Sequence, residues 1–274
     1  ALLSRGLGDV YKRQVIYQVY VGRRSRLYDH CVESVKDYCK AHNIEHVVQK
    51  QPVLKIKPDV FSTNRSKESY EKHGGYLPIF EKENAFTYLK TNDQVAIIDA
   101  DIWVRPGASN IFDKVPEEYD FGGVLEREMP TTEAYTRKIA NYTRMQYGMN
   151  QLNTLFDWKH PGGANFYNMG MMVLNKSFDK YLKGQTPMQF LMRPDFKVFI
   201  DGMGNWKWST DQTLLNVFVK ESGMSVKNLS FHWNGLFTAI HPTYAREANF
   251  VHFFLKDKLP NGGENVEELM TYVT

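Results

Sequence analysis

Residues 95–104 have the sequence VAIIDADIWV, in which an uninterrupted apolar run leads directly into Asp99 and Asp101. Such a run is typical of a strand that is buried on both faces of a parallel sheet. Ligands of open α/β sheets bind beyond the carboxyl ends of the strands, so the two acids stand where a binding site is expected. Carboxylates at i and i+2 of an extended chain project to the same side and can hold one divalent cation. Ordinary acids of a solvated turn are the alternative.

Length and composition limit the classes of protein to which the chain can belong. Its 274 residues suffice for one α/β domain, and its 42% hydrophobic and 24% charged residues are close to the averages of soluble proteins. This composition excludes a disordered, collagen-like or fibrous chain. The net charge of +3 is too small to indicate a nucleic-acid surface, so we expect no nucleic-acid partner.

The cysteines and the apolar runs bear on the cellular setting. Cys31 and Cys39 are the two cysteines of the chain, and in one helix they would lie about 12 Å apart, too far for a disulfide. A disulfide scaffold and a four-ligand zinc knuckle are therefore excluded, and reduced thiols suit the cytoplasm. No apolar run approaches the roughly 18 residues of a membrane span, and no segment resembles a signal peptide. We expect a soluble, cytoplasmic protein with no membrane span.

Short apolar runs alternate with helical periods from residue 15 onward, which predicts βαβ units in an α/β fold with a mostly parallel central sheet flanked by helices. Strands are predicted over 15–21, 44–48, 95–98, 121–125, 166–174, 229–233 and 250–254, and helices over 27–39, 77–90, 132–147 and 209–221. Residues 1–14 lack an initiating Met and resemble translated adapter sequence, so we expect them to be non-native. A single domain is expected over 15–260, followed by a C-terminal tail over 261–274.

Three basic side chains near the end of the last predicted strand are further candidates for the site. A histidine on an apolar strand, such as His252, is more often a core residue than a ligand. Lys256 and Lys258 follow it closely, however, and an imidazole with two cations suits a metal-bound diphosphate. A solvated turn is the alternative for the two lysines.

Asp211 lies in the first turn of a predicted helix for which Ser209 and Gln212 form a capping box. An acid at this position is favoured by the helix dipole whether or not it has a function, so both interpretations stay open. Asn168 and Gly170 lie within a predicted strand, where a glycine marks either the close approach of a ligand or backbone, or a bulge.

Several common motifs are absent from the sequence. There is no Walker A phosphate loop, no glycine-rich dinucleotide fingerprint after the first strand, no G-x-S-x-G elbow and no H-E-x-x-H helix. Their absence disfavours kinases, P-loop NTPases, common NAD enzymes, hydrolases and metalloproteases. The Asn234-Gly235 dipeptide is a turn signal and is assigned no chemistry.

Four segments occur in an order that resembles a known family. They are VAIIDADIWV at 95–104, FYNMGMMVLN at 166–175, STDQTLLN at 209–216 and HFFLKDK at 252–258. The set resembles the retaining glycogenin and galactosyltransferase-like family of GT-A glycosyltransferases, over about residues 15–260. The resemblance implies a Rossmann-like GT-A domain that moves a hexosyl group from a nucleotide-diphosphate sugar, with UDP as the expected nucleotide, to a glycan or other hydroxyl acceptor. It also implies retention of anomeric configuration and Mn²⁺ or Mg²⁺ as cofactor.

The resemblance assigns roles to the residues that match the family's segments. The metal ligands it implies are Asp99, Asp101 and His252, with Asp99 and Asp101 also engaging the donor ribose. The residues it assigns to the donor are Asp99, Lys82, Asn168, Gly170, Asp211, Lys256 and Lys258, where Lys256 is a second candidate for the contact of Lys258 with the diphosphate. Asp211 and Gln212 are the catalytic residues it implies, near the anomeric centre. Leu255 and Leu259 depart from the family pattern, which has Gly and Pro there.

Three alternatives remain open at the level of the sequence. An inverting GT-A enzyme would need a carboxylate base near the acceptor, for which Asp195 and Asp201 are candidates. A sugar-nucleotidyltransferase would release pyrophosphate, but its glycine-rich loop is not seen. A non-catalytic carbohydrate-binding module is the third. For the acceptor, the segment 131–165 is a candidate cover, and the candidate stacking platforms are Trp103, Trp158, Trp206, Trp208 and Trp233.

Overall fold

The computed structural model describes residues 12–59 and 64–274. Residues 1–11 of the segment expected to be non-native lie outside the described residues. The first strand begins at Gln14, the last residue of that segment. None of the helices in the described parts of the chain combines the length and the apolarity that a bilayer crossing requires.

Nine strands form two sheets in the described part of the chain. The strands are β1 (Gln14–Val19), β2 (Glu45–Gln49), β3 (Gln94–Ile98), β4 (Ile102–Val104), β5 (Phe121–Leu125), β6 (Tyr167–Asn175), β7 (Val226–Leu229), β8 (Gly235–Leu236) and β9 (Phe250–His252). The large sheet has the order β2-β1-β3-β6-β5-β7. Its neighbours pair in parallel except at β6, which runs antiparallel to β3 and β5. The predicted α/β fold with a mostly parallel central sheet is confirmed.

A second, three-stranded sheet of order β4-β9-β8 lies next to the large one. The sequence pattern did not distinguish it, because β4 follows β3 after a turn of only a few residues and looks like its continuation. β9 pairs antiparallel with β4 and parallel with β8. The small sheet thereby connects the middle of the chain with its C-terminal part.

Helices surround the sheets. The α-helices are α1 (Arg26–His42), α2 (Asn64–His73), α3 (Glu133–Tyr147), α4 (Asp179–Leu182), α5 (Pro187–Leu191), α6 (Lys197–Asp201), α7 (Asp211–Glu221), α8 (Pro242–Ala245) and α9 (Val266–Val273). The longer 3₁₀ segments are Pro78–Lys90, Ile111–Lys114, Asn150–Leu155 and Pro260–Gly263, and single 3₁₀ turns include Phe231–Trp233 and Lys256–Lys258. Cys31 and Cys39 are free thiols on the buried face of α1.

The large sheet separates two hydrophobic cores. Alternate residues of a strand point to opposite faces, so Val95 and Ile97 of β3 enter one core while Ala96 and Ile98 enter the other. The first core is completed by the 78–90 segment and by α5, α6 and α7, and the second by α1, α9 and the small sheet. Burial on both faces explains the continuous apolar run that the sequence shows here.

Three predicted elements differ in detail from the structure. The strand predicted over 229–233 is wrong, because β7 ends at Leu229 and a 3₁₀ turn follows. The helix predicted from 209 begins at Asp211, and its cap is Thr210, whose side chain accepts a hydrogen bond from the backbone of Gln212, rather than Ser209. Thr210 has the extended backbone that an N-cap requires. The helix predicted over 77–90 has 3₁₀ geometry.

Candidate active site

Asp99 and Asp101 lie in a tight turn that joins the two sheets. The backbone N–H of Ile102 donates to the carbonyl of Asp99 at 3.1 Å, which closes the turn between β3 and β4. The sequence argument assumed that the two acids share one extended strand, and this assumption is wrong. The turn, rather than strand periodicity, sets the direction of their carboxylates.

His252 reaches the two acids through the register of the small sheet. Ile102 of β4 lies opposite His252 of β9, and the N–H of Phe253 donates to the carbonyl of Asp101 at 2.9 Å. As a result, Nε2 of His252 lies 3.2 Å from Oδ1 of Asp101 and 3.8 Å from Oδ2 of Asp99. One ligating atom from each of the three side chains lies within 4.8 Å of the others.

The donor atoms of the three side chains suit a divalent cation, and neighbouring residues hold the ring of His252 in place. Two carboxylates and one imidazole form a donor set that suits Mn²⁺, and Mg²⁺ to a lesser extent. Nδ1 of His252 lies 3.0 Å from Oδ1 of Asn234, the kind of support that orients a ligating histidine. The ring also packs closely on Gly170, where a Cβ atom would come within 2.2 Å of Cε1 of His252.

Charge balance in this group is visible in the pKa values. Burial by itself would raise the pKa of Asp101, but the charge of His252 and a hydrogen bond to it bring that pKa below its ordinary value. Burial would lower the pKa of His252, but Asp101 and then Asp99 raise it. Burial raises the pKa of Asp99 despite the opposing charge of Lys82. The positive charges of Lys82 and His252 therefore favour the ionised form of both carboxylates.

Lys82 forms a buried ion-pair cluster beside this group. Its Nζ lies 2.7 Å from Oδ2 of Asp211 and 2.9 Å from Oδ1 of Asp99, and it donates to the carbonyl of Met169 at 3.1 Å. The side chains of Lys82 and Asp211 are only 7% and 2% exposed. Burial would lower the pKa of Lys82, but the charges of Asp211 and Asp99 raise it above its ordinary value. Lys82 is therefore positively charged, and its two ion pairs connect the first turn of α7 with the end of β3.

The first half of β6 lines the site with Asn168, Met169 and Gly170. Pairing with β5 shifts register between Gly123 and Val124, so this part of β6 contains a bulge. Oδ1 of Asn168 accepts from the N–H of Gly170 at 3.0 Å, and the N–H of Met169 donates to Oε1 of Gln212 at 3.1 Å. The bulge predicted as one alternative for the strand glycine is present, and the group that approaches Gly170 closely is a side chain, that of His252, rather than a ligand or another backbone segment.

These side chains surround one cleft of about 430 Å³. The residues expected from the sequence that line it are Lys82, Asp99, Asp101, Asn168, Gly170, Asp211, Gln212 and His252. Lys256 and Lys258 are not among the described residues that line it. Nζ of Lys256 instead contacts Oγ of Ser25 at 2.8 Å and the carboxylate of Glu264, while Lys258 is exposed.

Glu126 is a cleft residue that the sequence argument missed. It is buried directly after β5, and its carboxylate accepts hydrogen bonds from Nδ2 of Asn168, at 2.8 Å, and from the hydroxyl of Tyr135. Burial raises its pKa, although Tyr135 and Asn168 oppose the shift. The argument that singled out Asp99 applies equally here, because Glu126 also follows the carboxyl end of a buried strand.

Helix α3 forms one wall of the cleft. Tyr135, Lys138, Ile139 and Tyr142 project from it into the lining. The segment 131–165, expected to cover the site, therefore contributes to it through this helix. Asn234, which was assigned no chemistry, is fully buried behind His252.

The tryptophans lie away from the cleft. None of the five is among the described residues that line it. Trp103 and Trp233 are buried in the core, whereas Trp208 is 58% exposed. A larger cavity, of about 700 Å³, lies between α1 and the segment 103–109, and the acid and imidazole cluster is not part of its lining.

Comparisons with known proteins give similar folds and no matching family. No protein-family model matches the chain, and no curated protein matches it. A galactosyltransferase, LgtC, in complex with donor and acceptor sugar analogs is 14% identical, with 94% of each chain covered and a TM-score of 0.48. A glycosyltransferase involved in glycosylation of the major capsid of PBCV-1 is 12% identical, with 94% of this chain and 98% of that chain covered and a TM-score of 0.47.

A third similar structure is core-mannan synthase A from Aspergillus fumigatus in a Mn/GDP form. It is 9% identical, with 82% of this chain and 74% of that chain covered and a TM-score of 0.42. The first two of these solved structures are named as a galactosyltransferase and a glycosyltransferase. Identities this low say nothing about the substrate or the reaction of this chain, which must be argued from its own site.

Proposed function

We propose that this protein is a metal-dependent glycosyltransferase. It would move a hexosyl group from a nucleotide-diphosphate sugar, with UDP as the nucleotide, to a hydroxyl of a glycan or other acceptor. The observation that carries the proposal is the convergence of Asp99, Asp101 and His252, from two distant parts of the chain, in the lining of one cleft. Asp99 and Asp101 are partly exposed there, so both carboxylates are accessible to a cation.

Asp99, Asp101 and His252 would hold Mn²⁺ or Mg²⁺. When bound, such a cation neutralises the charge that develops on a leaving diphosphate. The carboxylates supply hard oxygen ligands and His252 supplies Nε2. Asn234 and Gly170 hold the imidazole in place from behind.

Lys82 and Asp211 would act on the donor sugar. Lys82 stays charged because two carboxylates face its Nζ, and it holds both of them in fixed positions. Asp211 lines the cleft at the first turn of α7, where it can accept hydrogen bonds from sugar hydroxyls and stabilise positive charge on the ring. Gln212 is oriented by the N–H of Met169. Such preorganised groups lower the barrier without reorganising during the reaction.

Retention of configuration, by attack of the acceptor on the face from which the diphosphate departs, is part of the proposal. The inverting alternative needs a carboxylate base in the cleft. Asp201 is bound by Lys197 and by the N–H of Asp59, and Asp195 belongs to the lining of a different cavity. Glu126 is the carboxylate that favours inversion, because it lines the cleft and burial raises its pKa. Proton NMR of the first-formed product distinguishes the two, and a product of inverted configuration would refute retention.

A panel of nucleotide sugars with Mn²⁺ tests the proposal. Donors that bind the native state raise its melting temperature, and the donor found in this way is then assayed for hydrolysis and transfer. We expect chelation of the metal to abolish both reactions, and Asp101→Ala to abolish them while the fold is retained. The matched control is Asp113→Ala, an exposed acid outside the cleft, which should keep full activity.

Three results would contradict the proposal in different ways. Transfer that persists in chelator would reject the metal role. Release of pyrophosphate from a nucleoside triphosphate and a sugar phosphate would instead identify a nucleotidyltransferase. Calorimetry that shows glycan binding without metal-dependent binding of a nucleotide sugar would identify a carbohydrate-binding module.

A further inference from the structure

Two side chains of α7 form hydrogen bonds with the backbone of β6. Oδ1 of Asn216 accepts from the N–H of Tyr167 at 2.6 Å, and Nδ2 of the same side chain donates to the carbonyl of Tyr167 at 2.8 Å. One turn earlier in the helix, Oε1 of Gln212 accepts from the N–H of Met169 at 3.1 Å. Both side chains therefore hold backbone groups that a neighbouring strand usually pairs.

The backbone of β6 needs these partners because β3 does not extend along this part of the strand. β3 pairs with β6 from Met171 onward, and where it ends the N–H of Asp99 donates to the carbonyl of Gly170 at 2.8 Å. Tyr167 and Met169 lie beyond this point, and each is 1% exposed. A buried N–H that loses its partner costs free energy, because water does not replace the bond. The two N–H groups therefore favour the position of α7 that satisfies both.

These hydrogen bonds fit one register of the helix on the strand. Asn216 and Gln212 are four residues apart, about 6 Å along a helix, and Tyr167 and Met169 are two residues apart, about 6.6 Å along a strand. Nδ2 of Asn216 also donates to the carbonyl of Gln212 at 2.8 Å, which fixes the amide from within the helix. A rotation of α7 by one residue would replace Asn216 with an apolar neighbour that has no hydrogen-bonding side chain. The neighbouring registers therefore leave the backbone of Tyr167 without its partner.

The same register places Asp211 against Lys82. Asp211 directly precedes Gln212 in the first turn of α7, and its Oδ2 lies 2.7 Å from Nζ of Lys82. Lys82 in turn donates to the carbonyl of Met169 at 3.1 Å, so the backbone of Met169 contacts both Gln212 and the partner of Asp211. A shift of α7 along β6 would therefore move Asp211 and Gln212 relative to the cleft that they line.

From this geometry we propose that Asn216 is a positioning residue, which sets the register of α7 on β6 and so places Asp211 and Gln212 in the cleft. Asn216 itself is fully buried and is not among the described residues that line the cleft. Its effect on the reaction is therefore exerted through the two residues of the first turn. The inference about the register stands on the hydrogen bonds, whereas its consequence for catalysis rests on the proposed function.

Two substitutions of Asn216 remove the contact with Tyr167. Asn216→Leu keeps a similar size but removes both the donor and the acceptor. Asn216→Ser shortens the side chain by one carbon atom, so its hydroxyl does not reach Tyr167 but can bond the carbonyl of Gln212 within the helix. It is the milder variant and serves if Asn216→Leu is too unstable to measure. Both variants should melt at a lower temperature than the unchanged protein, because each leaves the buried N–H of Tyr167 without its partner.

Asn175→Leu provides the matched control. Asn175 is a buried asparagine at the other end of β6, and its Nδ2 donates to the carbonyls of Pro116 and Tyr119 at 2.8 and 2.6 Å. The substitution should lower the melting temperature for the same reason as at Asn216. Because these partners lie outside α7, the first turn of that helix should keep its position.

The first readout is amide hydrogen exchange, measured by NMR on the protein without added metal. The informative amide is that of Met169, because Gln212 binds it and Asn216 does not. Its rate is divided by that of Val173, in the middle of β6 between β3 and β5, so that a general loss of stability cancels. We expect this ratio to rise about 10-fold in Asn216→Leu and Asn216→Ser, and to stay unchanged in Asn175→Leu. An unchanged ratio in both Asn216 variants overturns the inference, because the register of α7 would then not depend on Asn216.

The second readout is the rate of transfer with Mn²⁺ and the nucleotide sugar that the thermal-shift panel selects. Because a displacement of about 1 Å can cost about 10²-fold in rate, we expect kcat to fall about 100-fold in Asn216→Leu. The affinity for UDP with Mn²⁺, measured by calorimetry, should change little, because UDP lacks the sugar that Asp211 and Gln212 would contact. Asn175→Leu should keep its kcat although it melts at a lower temperature.

The outcomes separate the positioning role from the proposed function. A fall of kcat in Asn175→Leu equal to that in Asn216→Leu would mean that only stability matters, and would overturn the positioning role. An active unchanged protein whose kcat survives in Asn216→Leu would also overturn it, while the proposed function stands. If the exchange of Met169 behaves as expected but the unchanged protein transfers no sugar, the proposed function fails and the inference about the register stands.

Discussion

Lys82→Met tests whether the stability of the fold requires the positive charge of Lys82 between Asp99 and Asp211. Methionine matches the length and flexibility of lysine without its charge. The substitution leaves Asp211, whose side chain is 2% exposed, without the partner that lies 2.7 Å away. Breaking a buried ion pair by removing one partner costs about 3–5 kcal/mol. Because a typical domain is stable by about 5–15 kcal/mol, the loss should be large relative to the whole.

The assay is urea denaturation of the metal-free protein, in which the free energy of unfolding follows from the midpoint and the slope. The matched control is Lys180→Met, since Nζ of Lys180 lies 3.0 Å from Oδ1 of Asp120 but its side chain is 58% exposed. Solvent reaches the lysine of that pair, and the buried Asp120 keeps hydrogen bonds from the hydroxyl of Tyr181 and the N–H of Ser225, so the midpoint of Lys180→Met should stay close to that of the unchanged protein.

A double variant identifies the cause of the loss. Lys82→Met combined with Asp211→Asn removes both charges, and its cost should be smaller than the sum of the two single costs by about 0.5–3 kcal/mol. If Lys82→Met has the same midpoint as Lys180→Met, or if the two single costs simply add, the buried ion pair does not stabilise the fold and the reasoning is refuted.

Two further predictions concern Glu83 and Gly170, which lie close to this cluster. Burial raises the pKa of Glu83 well above its ordinary value, and the charge of Asp211 adds to this shift. The protonated carboxyl group of Glu83 contributes fully to stability below the unfolded pKa of about 4.3, and this contribution is lost as the pH rises toward the folded pKa. Glu83→Gln should therefore melt higher than the unchanged protein at neutral pH, with the gap closing toward pH 4; a gap independent of pH would contradict this. Gly170→Ala places a Cβ atom 2.2 Å from Cε1 of His252, so the ring must move and Mn²⁺ binding should be lost from a folded protein; unchanged binding would show that the ring has room.

Local sequence patterns determined the outline of this protein. The apolar run before Asp99 predicted a strand buried on both faces, and β3 is such a strand. The alternation of apolar runs and helical periods predicted the α/β sheet, because each pattern depends only on neighbours within one element. The candidate ligands followed from their places at strand and helix ends.

The sequence argument and the structure differ where two elements meet. The segment 229–233 alternates apolar and polar residues like a strand, but a 3₁₀ turn there directs Asn234 behind His252. Lys256 follows His252 closely in sequence, yet it turns to Ser25 and Glu264, which lie far away along the chain. No local periodicity encodes such partners.

The meeting of the acids with the imidazole was decided by tertiary structure alone. His252 reaches Asp101 because β4 and β9 pair with Ile102 opposite His252, and a shift by one residue would turn the imidazole to the other face of the small sheet. That register depends on pairing between residues that lie 150 positions apart in the sequence, Ile102 and His252, which no local pattern specifies. The sequence determined which side chains are candidate ligands, and the pairing of two short strands brought them close together.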